Sequence, residues 1–233
     1  MRLLLLSNST NYGGGYLDHA MADIRAFLEG VDELWFVPFA LKDRQGYAAK
    51  AAQRFAGEGI TVRAVTDDTE GRRALEGAAA VFVGGGNTFR LLKTLREARL
   101  LEVLARRARA DLRYLGASAG TNIAAPTIRT TNDMPIVQPD SFDALGLVPF
   151  QINPHYLDPD PATRHMGETR EERIREFLEE NDRVVVGLRE GAWLHRDGER
   201  LALGGGAAAR IFRRGAEPRE ARPGEPLDDL LHP

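Results

Sequence analysis

The sequence predicts an α/β fold. It reads as a single domain on a mostly parallel, doubly wound sheet flanked by helices, with a small antiparallel hairpin near the C-terminus. Three observations predict it. Short apolar runs without polar alternation recur along the chain, as parallel strands covered on both faces require. Segments with apolar residues at helical spacing fall between them, so strand and helix alternate. Glycine clusters stand where strands end, and sheets of this kind bind ligands beyond the carboxyl ends of their strands.

Leu3 to Leu6 form the first apolar run. A polar, glycine-rich loop from Asn8 to Gly15 follows, then a helix over 16–28 with Leu17, Met21, Ile24 and Leu28 on one face. His19 falls in that helix and is expected to face solvent. Leu34 to Phe39 is the second strand, followed by a helix from Tyr47 to Phe55 and a strand from Ile60 to Val65. A helix from Asp67 to Glu76 leads to a buried strand, Ala79 to Val83. That strand runs into Gly84-Gly85-Gly86-Asn87. Phe89, Leu92 and Leu95 then mark a helix, and Leu100 to Ala110 a second. Leu112 to Leu115 is the next strand. Thr121 to Ala125 opens a helix that Pro126 stops.

Residues 127–137 read as a loop leading into a strand. Phe150 to Tyr156 is a strand, and 157–166 a loop rich in Asp and Pro. Thr169 and Glu172 have the spacing of a capping box, ahead of a helix buried through Ile174, Phe177 and Leu178. Arg183 to Leu188 is another β-branched strand. Ala192 to His195 and Arg200 to Leu203 flank Asp197-Gly198, a hairpin turn. Ala207 to Phe212 adds a strand. Residues 1–214 thus form the α/β domain, and 215–233 a peripheral tail.

Composition narrows the function. A net charge of -3 gives no electrostatic reason to bind nucleic acid or an anionic membrane. Cysteine is absent, which removes disulfides, thiol chemistry and Cys-ligated metals, and suits a cytoplasmic location. The N-terminal run is too short for a signal-peptide core or a membrane span.

The chemistry centres on Gly116-Ala117-Ser118-Ala119-Gly120. A serine between small residues at a strand-to-helix turn is the nucleophile-elbow pattern. Small residues at such a turn also occur for packing alone, so the rest of the chain must supply a base and an oxyanion hole. His155, after Pro154 at a strand end, is the best-placed base, with His165 as its rival. His195 is on the hairpin and His232 in the tail. Glu190, just past an apolar strand, can orient the imidazole, and Asp133 competes with it. The Ala119 amide and one from Gly85 or Gly86 can supply the oxyanion hole. The order Ser, His, Glu differs from that of α/β-hydrolases. It resembles the Cys-His-Glu order of class I glutamine amidotransferase domains, with Ser in place of Cys.

Several segments together resemble the serine aspartyl dipeptidases, the peptidase E family (peptidase family S51). They are 4–10, 83–89, 118–120, 128–137, 151–155 and 167–171. The resemblance spans the first strand to about Phe212. It implies a dipeptidase for substrates with N-terminal Asp, working without metal or cofactor. Ser118 would be the nucleophile, His155 the general base and acid, Glu190 the orienting acid, and Gly86 and Ala119 the oxyanion-hole donors. Selecting Asp needs an anion for the substrate α-amine and a cation for its side chain. Asp133 and Arg170 are the candidates, with Arg129 as the alternative cation. Two other readings share the fold: a cyanophycinase-like hydrolase of β-linked Asp-Arg, and a binding module with a dead site. Oligomeric state is not legible.

Overall fold

The first apolar run becomes the middle of a sheet because water is excluded from both its faces. Strand β1 (Arg2–Leu6) sends Leu3 and Leu5 into one apolar layer and Leu4 and Leu6 into the other. All four are at most 1% exposed, and each contributes roughly 1.5–3 kcal/mol by leaving water. The computed structural model describes residues 1–159, 162 and 166–232.

Strands β2 (Glu33–Val37), β3 (Thr61–Ala64), β4 (Ala80–Val83) and β5 (Arg113–Ala117) run parallel with β1. The hairpin of β8 (Ala192–Asp197) and β9 (Arg200–Gly205) pairs antiparallel on the other side of β1. The seven-stranded order is β3-β2-β4-β5-β1-β8-β9. Helices α1 (Met21–Phe27) and α2 (Arg44–Ala56) cover one face. Helices α3 (Thr69–Gly77), α4 (Thr88–Glu97) and α5 (Leu101–Ala110) cover the other. This is the expected large, mostly parallel sheet between helices.

The later strands depart from the expected single sheet. Strands β6 (Gln151–Pro154), β7 (Val185–Leu188), β10 (Ala209–Phe212) and a short β11 (Arg219–Ala221) form a separate four-stranded sheet, ordered β11-β10-β7-β6. Strands β6 and β7 are buried on both faces too. Ile152, Val186, Leu188 and Ile211 join the core of the main sheet. Val185 and Phe212 pack under Ile174 and Leu178 of helix α7 (Arg170–Glu180). The capping box at Thr169 and Glu172 is formed.

Other local readings are corrected. Residues 16–28 do not make one helix. Leu17 takes φ 64°, a 3-10 turn spans Asp18–Ala20, and α1 starts only at Met21. That break turns His19 inward, so both its ring nitrogens are buried. The helix after Ser118 is a single turn, α6 (Ala119–Asn122). The segment 127–137 leads into no strand, and Ile136 is exposed. The segment from Gly215 is not peripheral. It supplies β11, and Leu227 and Leu230 are fully buried in the main core. Among the described residues no helix is long and apolar enough to cross a membrane.

Candidate active site

The carboxyl ends of β1, β4 and β5 meet those of β6 and β7, and the candidate residues lie there. Ser118 stands between β5 and α6 with φ 51° and ψ -108°. A non-glycine residue in that region carries strain of order 1–3 kcal/mol, so its surroundings must hold it. Its N–H donates to the Leu6 carbonyl at 3.1 Å, and its carbonyl accepts from Asn122 N–H at 2.8 Å. Gly120 makes the turn possible. A Cβ there would lie 2.0 Å from the Val83 carbonyl oxygen, so only glycine lets α6 settle on β4.

His155 follows β6, also at positive φ, 53°. Its Nε2 lies 2.9 Å from Ser118 Oγ and its Nδ1 lies 2.7 Å from Glu190 Oε1. Glu190 follows β7. Both side chains are near half exposed, 40% and 48%. A pair so exposed adds little stability. In the tautomer that carries its proton on Nδ1, the imidazole donates to Glu190 and its Nε2 can accept a proton from the serine.

The Ala119 amide follows Ser118 directly, at the first position of α6. Gly85 packs against Ser118, its Cβ direction ending 3.0 Å from Ser118 Cβ, while its amide acts on the Tyr47 phenol. Gly86 is the other glycine left open by the sequence. Its φ of +131° is accessible to glycine, and the Leu41 side chain lies over it.

Asp133 does not touch His155. Its Oδ2 accepts from Thr88 N–H at 2.7 Å and Thr88 Oγ1 at 2.6 Å, which fixes it on the first turn of α4. Arg170 is the first residue of α7 and half-buried, with no ion-pair partner among the described residues. Burial lowers the affinity of its guanidinium for the proton, Arg173 adds to that, and the nearby Asp133 charge opposes it. Arg129 is exposed and places its guanidinium over the Phe142 ring at 5.6 Å. His195 stands against Phe27, and His232 beside Glu199. His165 lies outside the described residues.

The structure also brings in residues to which the sequence reading assigned no role. Arg189 grips Asp158 and Glu220, each through two hydrogen bonds, and so ties the residue before Glu190 to the loop after His155. Ser7 and Asn8 touch the backbone on either side of the site. Their signal was a polar pair directly after a buried strand. Among the described residues, the large exposed apolar side chains include Leu41, Met134, Leu157 and Met166. Leu41 lies over Gly86, and the others are one, two and four positions in sequence from Asp133, His155 and Arg170. No group of three acidic or imidazole side chains among the described residues is disposed to hold a metal.

Known proteins resemble this chain along nearly its whole length. The sequence profile of peptidase family S51 matches residues 3–204. Peptidase E of Streptomyces coelicolor is 58% identical over 231 residues, covering 99% of this chain and 95% of that one. The probable alpha-aspartyl dipeptidase of Drosophila melanogaster is 44% identical over 236 residues, covering 98% and 97%. Among solved structures, a peptidase from an acI-B1 actinobacterium superposes with a TM-score of 0.73 at 17% identity, covering 97% and 96%. A putative peptidase E protein from Listeria monocytogenes superposes with a TM-score of 0.66 at 22% identity, covering 88% and 98%. At those identities the two structures bear on the fold alone.

Proposed function

The chain belongs to peptidase family S51, and from that premise we propose that it is a serine dipeptidase removing aspartate from Asp-Xaa dipeptides through Ser118, His155 and Glu190. The relatives' names, peptidase E and alpha-aspartyl dipeptidase, support a peptide hydrolase with this preference. The observation that carries the roles is the relay from Glu190 Oε1 to His155 Nδ1 at 2.7 Å and from His155 Nε2 to Ser118 Oγ at 2.9 Å.

His155 Nε2 takes the proton from Ser118 as Oγ attacks the aspartyl carbonyl carbon. The oxyanion is held by the Gly86 and Ala119 amides. The carbon–nitrogen bond then breaks, and the proton on Nε2 passes to the leaving amine. Water enters, gives a proton to Nε2 and attacks the acyl carbon. Ser118 leaves and recovers its proton from His155. Glu190 accepts from Nδ1–H throughout and steadies the imidazole as the proton on Nε2 comes and goes.

Asp133 meets the substrate α-amine, and Arg170 its β-carboxylate. Support for Arg170 is a half-buried guanidinium with no carboxylate partner among the described residues, since a planar fork binds a carboxylate through two hydrogen bonds. The apolar side chains near the site, Leu41 and Met134 among them, suit the side chain of the released residue.

The test is hydrolysis of Asp-Leu beside Glu-Leu, Asn-Leu and acetyl-Asp-Leu, with EDTA present, by the native chain and by Ser118→Ala. Cleavage of Asp-Leu alone, abolished in Ser118→Ala, is the expected result. Turnover by Ser118→Ala would overturn the mechanism. Cleavage of a β-linked Asp-Arg substrate with silence toward Asp-Leu would overturn the substrate assignment.

A further inference from the structure

Three consecutive residues at the carboxyl end of β1 each hold one part of the candidate site. The Leu6 carbonyl accepts from Ser118 N–H at 3.1 Å and from Thr121 Oγ1 at 2.6 Å. The Ser7 hydroxyl accepts from His155 N–H at 2.9 Å and donates to the Leu188 carbonyl at 2.7 Å. Asn8 Oδ1 accepts from Gly191 N–H at 2.9 Å, next to Glu190. Nucleophile, base and acid come from three distant parts of the chain, and this short segment touches the first two and the residue after the third.

Ser7 makes the most specific of these contacts, because one side-chain hydroxyl meets both the backbone of His155 itself and that of β7. The residue is fully buried, and its hydroxyl spends both donor and acceptor on backbone groups. One belongs to β7, which delivers Glu190. The other belongs to His155, whose φ of 53° is costly for a residue with a Cβ. A strained base keeps its geometry only while its neighbours hold it there.

We infer that Ser7 is a positioning residue of the reaction: its hydroxyl locks the left-handed His155 backbone to β7, so that the imidazole spans Glu190 and Ser118. This rests on the Ser118–His155–Glu190 reading above. Without the hydroxyl, the His155 amide and the Leu188 carbonyl lose their shared partner. The His155 backbone is then free to relax, and the ring is displaced from the serine. Ground-state binding of the dipeptide, which depends on Asp133 and Arg170, is left as it was.

The experiment compares Ser7→Ala, Ser7→Thr and Ser7→Val with the native chain and Ser118→Ala, using steady-state cleavage of Asp-Leu. Thr and Val have the same shape and differ by the hydroxyl alone, so they decide the matter even where Ser7→Ala does not fold. Displacement of a catalytic group by about an ångström costs up to ~100-fold. The expected result is therefore a fall in kcat of roughly 10- to 100-fold in Ser7→Val and Ser7→Ala, with KM little changed. Ser7→Thr recovers most of the loss. Labelling of Ser118 by a serine-directed organophosphonate slows in the same order. Equal kcat in Ser7→Thr and Ser7→Val, or a loss carried by KM alone, overturns the inference while Ser118→Ala remains inactive. Turnover by Ser118→Ala overturns the triad reading itself, and the inference with it.

Discussion

Glu190 Oε1 stands 2.7 Å from His155 Nδ1, on the side of the imidazole turned away from Ser118. The competing carboxylate, Asp133, is committed to Thr88 at the start of α4. The two acids therefore have separable effects. Glu190→Gln can present its amide N–H to Nδ1 and hold the wrong tautomer, so kcat should fall by roughly 10³–10⁴. Asp133→Asn keeps an acceptor for Thr88, loses the charge proposed to meet the α-amine, and should mainly raise KM. Steady-state kinetics on Asp-Leu separates them, and a large kcat loss confined to Asp133→Asn would reverse the assignment.

Arg170 should set the preference for aspartate over asparagine. A hydrogen bond to a charged group contributes about 1.5–3 kcal/mol, or roughly 10- to 100-fold. Arg170→Gln should lower kcat/KM for Asp-Leu by that factor and leave any residual cleavage of Asn-Leu unchanged. Arg129→Gln, whose native guanidinium packs on Phe142, should leave the ratio as it is. Selectivity lost through Arg129 instead would move the cation site.

The elbow also makes a packing prediction. A methyl group on Gly120 would lie 2.0 Å from the Val83 carbonyl oxygen, a backbone atom that cannot step aside. Gly120→Ala should destabilise the protein by about 1–3 kcal/mol or more and displace Ser118. Gly77, at the end of α3, has open space within 4 Å of where a methyl group would stand, and Gly77→Ala should be neutral or slightly stabilising. Thermal melts of the two variants compare the sites directly.

Much of this was legible because local chemistry and tertiary position agree. Leu3 to Leu6, Ala80 to Val83 and Val185 to Leu188 lack any polar side chain, and each run is a strand buried on both faces. Gly116 to Gly120 has few alternatives to a tight turn. What escaped depends on long-range partners. No sequence pattern says that β6, β7 and β10 leave the main sheet, since a strand buried on both faces reads alike in either sheet. Leu17 at φ 64° is an effect of the loop after β1, its N–H held by the Ser9 carbonyl at 2.6 Å, which helical spacing cannot register. Ser7 is a lone serine until Leu188 and His155 fold onto it.

His19 links the corrected first helix to pH. Burial lowers its proton affinity from the ordinary value of 6.5, while Asp18 and Glu190 partly oppose that. The folded protein thus holds this proton less tightly than the unfolded chain. Stability is unaffected by His19 above about 6.5, falls as the unfolded chain takes up the proton below that value, and levels off below the folded value. Urea unfolding at stepped pH should show a loss in the native chain that is reduced in His19→Gln. Equal pH slopes in the two proteins would remove His19 as the cause.

The last segment offers a test of whether residues beyond Gly215 belong to the core. Leu227 and Leu230 are fully buried, Leu227 N–H donates to the Leu201 carbonyl at 2.7 Å, and Asp228 accepts from Leu201 N–H at 2.6 Å. The segment is thereby fastened to β9, which reaches β1 through β8. A buried leucine cut to alanine costs about 2–5 kcal/mol, and each kcal/mol moves Tm by roughly 2–4 °C in a chain of this size. Leu230→Ala should therefore lower Tm by several degrees, while an exposed site such as Glu217→Ala should not move it. Deletion from Gly215 onward removes β11 and these anchors together, and should leave a chain that does not melt cooperatively. A native-like Tm in that deletion would return the segment to the periphery that its charge-rich sequence suggests.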